Sequence, residues 1–532
     1  MRRVSVSACL RSVPVLAALA MLAGIATAAC AETVHFTVDV ARNVTPISRY
    51  IYGINAPLSG PLANLTFRRL GGNRWTAYNW VNNASNAGSD YIFQNDDFLG
   101  GGDTPGGAVI PGIGNARNRG AGLLLTIPIN GYVAADKNGD GDVRDTPDYL
   151  KTRFRKGRAV KGPPFTLNPD PADKFVYQDE FVNWVKTNYP NSQTAGTDKP
   201  IWFSLDNEPD LWAETHLAIH PDPVTYAELV KKTIAYALGI KAVAPDTMIF
   251  GPASYGWAGF VRLQDAPDAN GRDFLLYYLR KMQAAETANG KRLLEVLDVH
   301  WYPEATGGGV RTTAQDTSPA VVAARLQAPR SLWDKSYREV SWIADDYLDG
   351  PINLLAWLKQ KIARGYPGTK LAVTEYNYGA SQHISGGIAQ ADVLGIFGRE
   401  GVFAASQWPL YDDEPFVAGA MQMFRNFDGN GGAFGDVSIF AKTDNVADTS
   451  IYASLDSADP NRLVLVAINK TAQKIKAVIK LKNAPALNSA LIFQLKGLSA
   501  KPKSAGPIVA DLSRFTYAMP PFSVSTLELT NN

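Results

Sequence analysis

Ile201-Trp202-Phe203-Ser204-Leu205-Asp206-Asn207-Glu208-Pro209 is the stretch on which the fold class turns. A short apolar run with strand character feeds directly into Asn-Glu-Pro, so a carboxylate stands where the strand ends. The same design recurs at Leu371-Ala372-Val373-Thr374-Glu375-Tyr376-Asn377. Strands that end in acids and alternate with helices suggest a (β/α)8 barrel, in which reactive groups gather at the C-terminal strand ends.

Working outward, eight β-rich runs fall at 51–55, 67–71, 122–128, 201–205, 248–251, 294–300, 370–374 and 402–407. Between them lie segments with apolar residues near a 3.6-residue period, such as 179–187, 224–243, 274–289 and 351–363. The class is therefore α/β, a TIM barrel over residues 51–425. After it the pattern changes to short β-branched runs at 450–456, 462–469, 474–480, 491–496 and 522–529, which reads as an all-β sandwich over 426–532. The cleanly alternating run 33–40 precedes the first barrel strand and is expected to add to that sandwich, with 32–50 as an N-terminal extension of it. A chain of 532 residues exceeds what one core normally serves, consistent with two modules.

The first 31 residues carry Arg2 and Arg3, an apolar stretch of about thirteen residues and then small residues up to Ala31, the pattern of a secretory signal peptide. The apolar stretch is short of the ~20 residues a membrane span needs. A lipoprotein signal at Cys30 would have an aliphatic residue where Thr27 stands. Both cysteines, Cys9 and Cys30, lie in this leader, so a secreted protein without disulfides or thiol chemistry is expected. Arg2, Arg3 and Arg11 account for three of the 52 basic residues, leaving 49 against 50 acidic. Near-neutrality without a basic cluster argues against a nucleic-acid partner. Eleven Trp and 22 Tyr in such a chain fit a carbohydrate surface, since flat rings stack on sugar faces. The expected partner is a polysaccharide, met by a monomer with no membrane contact.

Two glutamates at one barrel mouth are the equipment of a retaining glycosidase. One protonated carboxyl serves the leaving oxygen, and one carboxylate about 5 to 5.5 Å away attacks the anomeric carbon. Glu208 is the expected general acid/base and Glu375 the nucleophile, with Glu375 kept ionised by hydrogen bonds and Glu208 kept protonated by poor solvation. Asn207, an amide beside the acid, suits a sugar 2-hydroxyl. His300 and Tyr302 end the sixth strand, within reach of Glu375. Trp408, after the eighth, is placed to floor the sugar beside the cleavage point, and Trp333 and Trp342 are candidates for distant subsites.

Longer strings narrow the match. Ser204-Leu205-Asp206-Asn207-Glu208-Pro209-Asp210-Leu211-Trp212, Leu297-Asp298-Val299-His300-Trp301-Tyr302-Pro303-Glu304 and Thr374-Glu375-Tyr376-Asn377-Tyr378-Gly379 resemble glycoside hydrolase family 44, as does Gly71-Gly72-Asn73-Arg74-Trp75-Thr76-Ala77-Tyr78-Asn79-Trp80. The resemblance implies an endo-acting enzyme on cellulose-like polysaccharides, soluble cellulose derivatives or xyloglucan. It implies Glu208 and Glu375 as the catalytic pair, with Asn207, Trp75, Trp80 and Trp408 lining the cleft; Trp212, His300, Tyr302 and Tyr376 are further candidate substrate contacts. A β-mannanase or xylanase would use the same two glutamates, and a non-catalytic glycan-binding protein would need neither.

No cofactor is expected for catalysis. Asp136-Lys137-Asn138-Gly139-Asp140-Gly141-Asp142 matches the first half of a calcium loop, which makes Asp136, Asn138, Asp140 and Asp142 candidate ligands for a structural calcium. Its twelfth position is Pro147 instead of a bidentate Glu, so a solvated acidic turn competes. The chain also departs from the family pattern at Val81, where an acid able to serve a cation is expected. Glu214, His216 and His220 lack the order of a zinc-protease helix and read as a helix surface.

Overall fold

The computed structural model describes residues 32–531; the expected leader, with Cys9 and Cys30, lies outside them. Among the described residues no helix is long and apolar enough to cross a membrane. Eight parallel strands close into a barrel: Gly53–Ile54, Phe67–Leu70, Gly122–Ile127, Ile201–Leu205, Ile249–Ser254, Val296–Trp301, Lys370–Tyr376 and Ala404–Gln407. Each falls on one of the eight runs read from the sequence. The first is the most shortened, to two residues. Gly53 there lies so close to the eighth strand that a Cβ would sit 2.3 Å from the Ala405 carbonyl oxygen.

The barrel interior is layered. Phe67, Leu124, Trp202, Phe250, Val296, Ala372 and Ala404 pack together as an apolar floor. Two residues further along the same strands, on the same face by the period-two rule, stand Arg69, Thr126, Ser204, Pro252, Asp298, Thr374 and Ser406. The floor holds the barrel shut by burial, and the polar storey above it carries the site.

The second module is a continuous sheet whose two halves face one apolar core that includes Val34, Phe36, Leu465, Ile479 and Leu527. Its strand Glu32–Asp39 is interior, antiparallel to Val437–Thr443 and parallel to Ile475–Lys482. Three strands without a clear sequence signal complete it or extend it: Val437–Thr443, Ser499–Val509 and Arg514–Met519. A small sheet of Tyr132–Ala134, Phe154–Arg158 and Phe175–Tyr177 fills the connection after the third barrel strand.

Helix Ile384–Glu400 is buried along nearly its whole length between barrel and sandwich. Gly395 lets it approach, since a Cβ there would meet the Tyr452 ring at 2.2 Å. The seam is locked by Asp392, which pairs with Lys470 at 2.6 Å and accepts from the Tyr452 hydroxyl at 2.5 Å. Both charged side chains are 2% exposed. Removing one member of such a pair strands the other, so Asp392→Ala should destabilise the protein by about 3–5 kcal/mol in denaturant unfolding. Joint replacement by Leu at 392 and Met at 470 should recover much of that loss.

Candidate active site

Glu208 sits three residues past its strand in the left-handed region, φ 43°, ψ 56°. Its backbone N–H donates to the Ala253 carbonyl at 3.0 Å, and Ala253 (φ 57°) marks a register shift in the fifth strand. Non-glycine residues in this region cost on the order of 1–3 kcal/mol and persist where surrounding contacts over-determine them. Here the corner is tied by Asp206, whose carboxylate accepts from the backbone N–H groups of Ile129, Asn130 and Asn207.

Glu375 reaches the same barrel mouth by a different device. Thr374 and Glu375 are consecutive, and strand alternation would send them to opposite faces. Both face inward because the pairing of the sixth and seventh strands slips between Val299 and His300, matching His300 to Glu375 and leaving Thr374 as the extra residue. Such a bulge re-aims a side chain. Thr374 donates to Asp298 at 2.7 Å, while Glu375 accepts from Arg69 at 2.6 Å and from the Tyr302 hydroxyl at 2.8 Å.

One oxygen of Glu208, one of Glu375 and a ring nitrogen of His300 all lie within 4.8 Å of one another. His300 Nδ1 is 2.8 Å from Glu208 Oε1 and 3.5 Å from Glu375 Oε2, bridging the pair. Arg69, fully buried, forks between Glu375, the Asn207 Oδ1 at 2.8 Å and the Asn55 Oδ1 at 3.1 Å. Glu208, His300 and Glu375 are the group among the described residues placed to hold a metal ion, yet the guanidinium already supplies the positive charge against Glu375.

The electrostatics separate the two acids. Burial pushes the Glu208 carboxyl up to about 7; Arg69 opposes the rise and the Asp90 charge adds to it. Burial lowers His300 to about 3, which leaves it neutral, able to share a hydrogen bond but not a charge. Tyr302 is driven far above its ordinary range by burial and by Glu375, so it remains a donor. Beneath them burial raises Asp298 to about 7, and Ser204 and Thr374 hydroxyls face it.

A model of glycoside hydrolase family 44 matches residues 84–305. The chain is 42% identical to Endoglucanase A of Paenibacillus lautus, over 93% of this chain and 72% of that one. It superposes on a family-44 xyloglucanase of Paenibacillus polymyxa, solved with xyloglucan, with a TM-score of 0.90 at 39% identity, covering 94% of this chain and all of that one. The family-44 endoglucanase Cel44A of Clostridium thermocellum gives 0.88 at 40%, with the same coverage. This chain belongs to glycoside hydrolase family 44.

In this family-44 hydrolase the expected substrate contacts divide sharply. His300 meets both glutamates and Tyr302 meets Glu375, while Asn207 is joined to Glu375 through Arg69. Trp408 is half-buried beside the mouth, its ring over Gly72 (φ 97°), where a Cβ would come within 2.5 Å of it. Trp75 is 7% exposed and packs edge-on against Tyr78. Trp80, Trp212 and Tyr376 are corrected: all are fully buried and have no face to offer a sugar. Trp80 stacks on Phe181 and donates to the Tyr177 carbonyl, Trp212 packs near His220 under Lys232, and Tyr376 packs on Phe397 with its hydroxyl bonded to Gln390. Trp333 lies under the Arg399 guanidinium at the seam with the sandwich, while Trp342 is 41% exposed.

Among the four candidate calcium ligands the three acids are each paired with an arginine, and Asn138 donates to Asp140 at 3.3 Å. Asp136 binds Arg153 through both oxygens, Asp140 binds the same guanidinium at 2.6 Å, and Asp142 is engaged by Arg144. A protein cation takes the charge that an ion would have taken. His216 is buried, not on a helix surface, and His220 bonds Glu228 and the Asp222 carbonyl, so no joint ligand set with Glu214 forms. Arg69 and Asn55 are the site residues that sequence reading passed over. The available signal was an arginine inside a run otherwise fit for a buried strand.

Proposed function

We propose that the protein is a secreted, monomeric, endo-acting retaining hydrolase of β-1,4-glucans, with soluble cellulose derivatives or xyloglucan as substrates. The observation that carries this reading is the approach of Glu208 and Glu375 oxygens to within 4.8 Å, with Arg69 and Tyr302 on one acid and neutral His300 on the other. Retaining enzymes hold their carboxyls at about 5–5.5 Å, and inverting enzymes need roughly 6.5–9.5 Å to admit water.

In the first step Glu208 gives its proton to the glycosidic oxygen as the C–O bond breaks, and Glu375 bonds the anomeric carbon from the opposite face. Ester formation removes the negative charge of Glu375, which lowers the cost of ionising Glu208. Glu208 then takes a proton from water, whose oxygen displaces Glu375 and restores the original configuration. An amide N–H of Asn207 facing the sugar 2-hydroxyl would strengthen as the oxocarbenium character grows.

Product analysis on carboxymethyl cellulose, xyloglucan, mannan and xylan tests substrate class and mode together. Fastest turnover on a β-glucan is expected, with the β-anomer appearing first by proton NMR. An initial α-anomer would sink the two-step mechanism, and preference for mannan or xylan would move the substrate class.

The pH profile follows from the raised carboxyl of Glu208. It must be protonated to act, so on the alkaline side kcat/KM should pass its half-maximum near pH 7 and then fall about tenfold per unit. Glu208→Gln should erase that limb, leaving a low, pH-independent rate on substrates whose leaving group needs no proton.

A further inference from the structure

We propose that Asp90 is a positioning residue for the reaction: through Asn73 it fixes the side-chain amide of Asn207 so that an N–H of that amide faces the sugar. Asp90 ends a short turn, Gly88–Asp90, and is exposed at the rim. From it a single file of hydrogen bonds runs inward. Asn73 Nδ2 donates to Asp90 Oδ1 at 2.8 Å, Asn207 Nδ2 donates to Asn73 Oδ1 at 3.3 Å, and Arg69 Nη2 donates to Asn207 Oδ1 at 2.8 Å.

The two middle members are amides, whose oxygen and nitrogen ends have nearly the same shape, so packing alone selects neither orientation. The end members have no such freedom. An ionised carboxylate only accepts and a guanidinium only donates. Asp90 turns the NH2 of Asn73 outward, which turns its oxygen toward Asn207. Asn207 must then point its NH2 at Asn73 and its oxygen at Arg69. Both ends impose one polarity on the file, and each amide obeys it. An amide nitrogen carries two hydrogens. Among the described residues Asn73 takes one of those on Asn207, and the other remains for a sugar hydroxyl.

Without Asp90 the orientation of Asn73 is set only from one side. Its flip would place NH2 against NH2 and push Asn207 out of register with the substrate. What position 90 supplies is a group that accepts and cannot donate. This inference rests on the reading that Asn207 addresses the substrate.

A double-mutant cycle tests it. Asp90→Ala is expected to lower kcat on the order of tenfold, the scale of one hydrogen bond gained in the transition state, with KM changed by less than about twofold. Asp90→Asn, whose amide can still accept from Asn73 when the Arg69 end of the file orients it, should recover part of that loss. In an Asn207→Ala background, Asp90→Ala should have no further effect. Losses that multiply in the double variant would overturn the proposal. So would Asp90→Asn falling as low as Asp90→Ala, an Asp90→Ala enzyme with unchanged kcat, or a melting-temperature drop in place of the kinetic loss. Full activity of Asn207→Ala alone would instead remove the reading of the site on which the inference stands.

Discussion

Glu375→Ala is expected to lose turnover on carboxymethyl cellulose by roughly four orders of magnitude or more, because the variant has no group to form the covalent intermediate. Its fold should persist with a stability loss of about 3–5 kcal/mol, since a buried guanidinium loses its carboxylate but stays bonded to Asn207 and Asn55. Azide, small enough to enter the vacated space, should restore cleavage of an aryl β-glycoside carrying a good leaving group. The C–N bond forms on the face that Glu375 occupied as the aryl oxygen departs, so the product is the α-glycosyl azide. Glu208→Ala should behave in the opposite sense and yield the β-azide. Sustained turnover by Glu375→Ala without azide would remove Glu375 as nucleophile.

Arg69 should be nearly as sensitive, in two measurements at once. Its side chain is fully buried, and its fork binds Glu375, Asn207 and Asn55 together. Arg69→Met leaves Glu375 buried without its cation, so a stability loss of about 3–5 kcal/mol is expected. A fall in kcat/KM on the order of a hundredfold or more should accompany it, since nucleophile and Asn207 lose their common anchor. Arg69→Lys separates the two effects. It restores charge but not the planar fork, so stability should return further than activity. Equal recovery of both would show that charge alone matters at this position.

The barrel was legible because its strands are covered on both sides and read as apolar runs bounded by turns. Glu208 and Glu375 were legible because each stands at the end of such a run. The bulge that turns both Thr374 and Glu375 inward was not, since it depends on pairing with a neighbouring strand. Arg69 was hidden for a related reason: Phe67-Arg68-Arg69-Leu70 offers two arginines, and only barrel closure decides which one enters. The tryptophans show a further limit. A large ring suits a sugar platform or a core equally, and burial tells them apart: Trp80 is closed in and stacked on Phe181, whereas Trp408 is half-buried with its ring against Gly72. Ser499–Val509 was missed because Pro502, Gly506 and Pro507 break the pattern of a strand; the sheet tolerates them there because this strand lies at its edge. The arginine that meets the acidic loop, Arg153, lies beyond the motif and is not legible from it.

The strand Glu32–Asp39 joins partners more than 400 residues away, as the contact of His35 with Asp444 illustrates. The sandwich is therefore no contiguous cassette: residues 426–532 expressed alone would carry a slot in mid-sheet with exposed edges on both sides. During synthesis the barrel segment can be complete while its opening strand still waits for the last part of the chain. Such distant closure makes the sandwich the late and aggregation-exposed event in maturation.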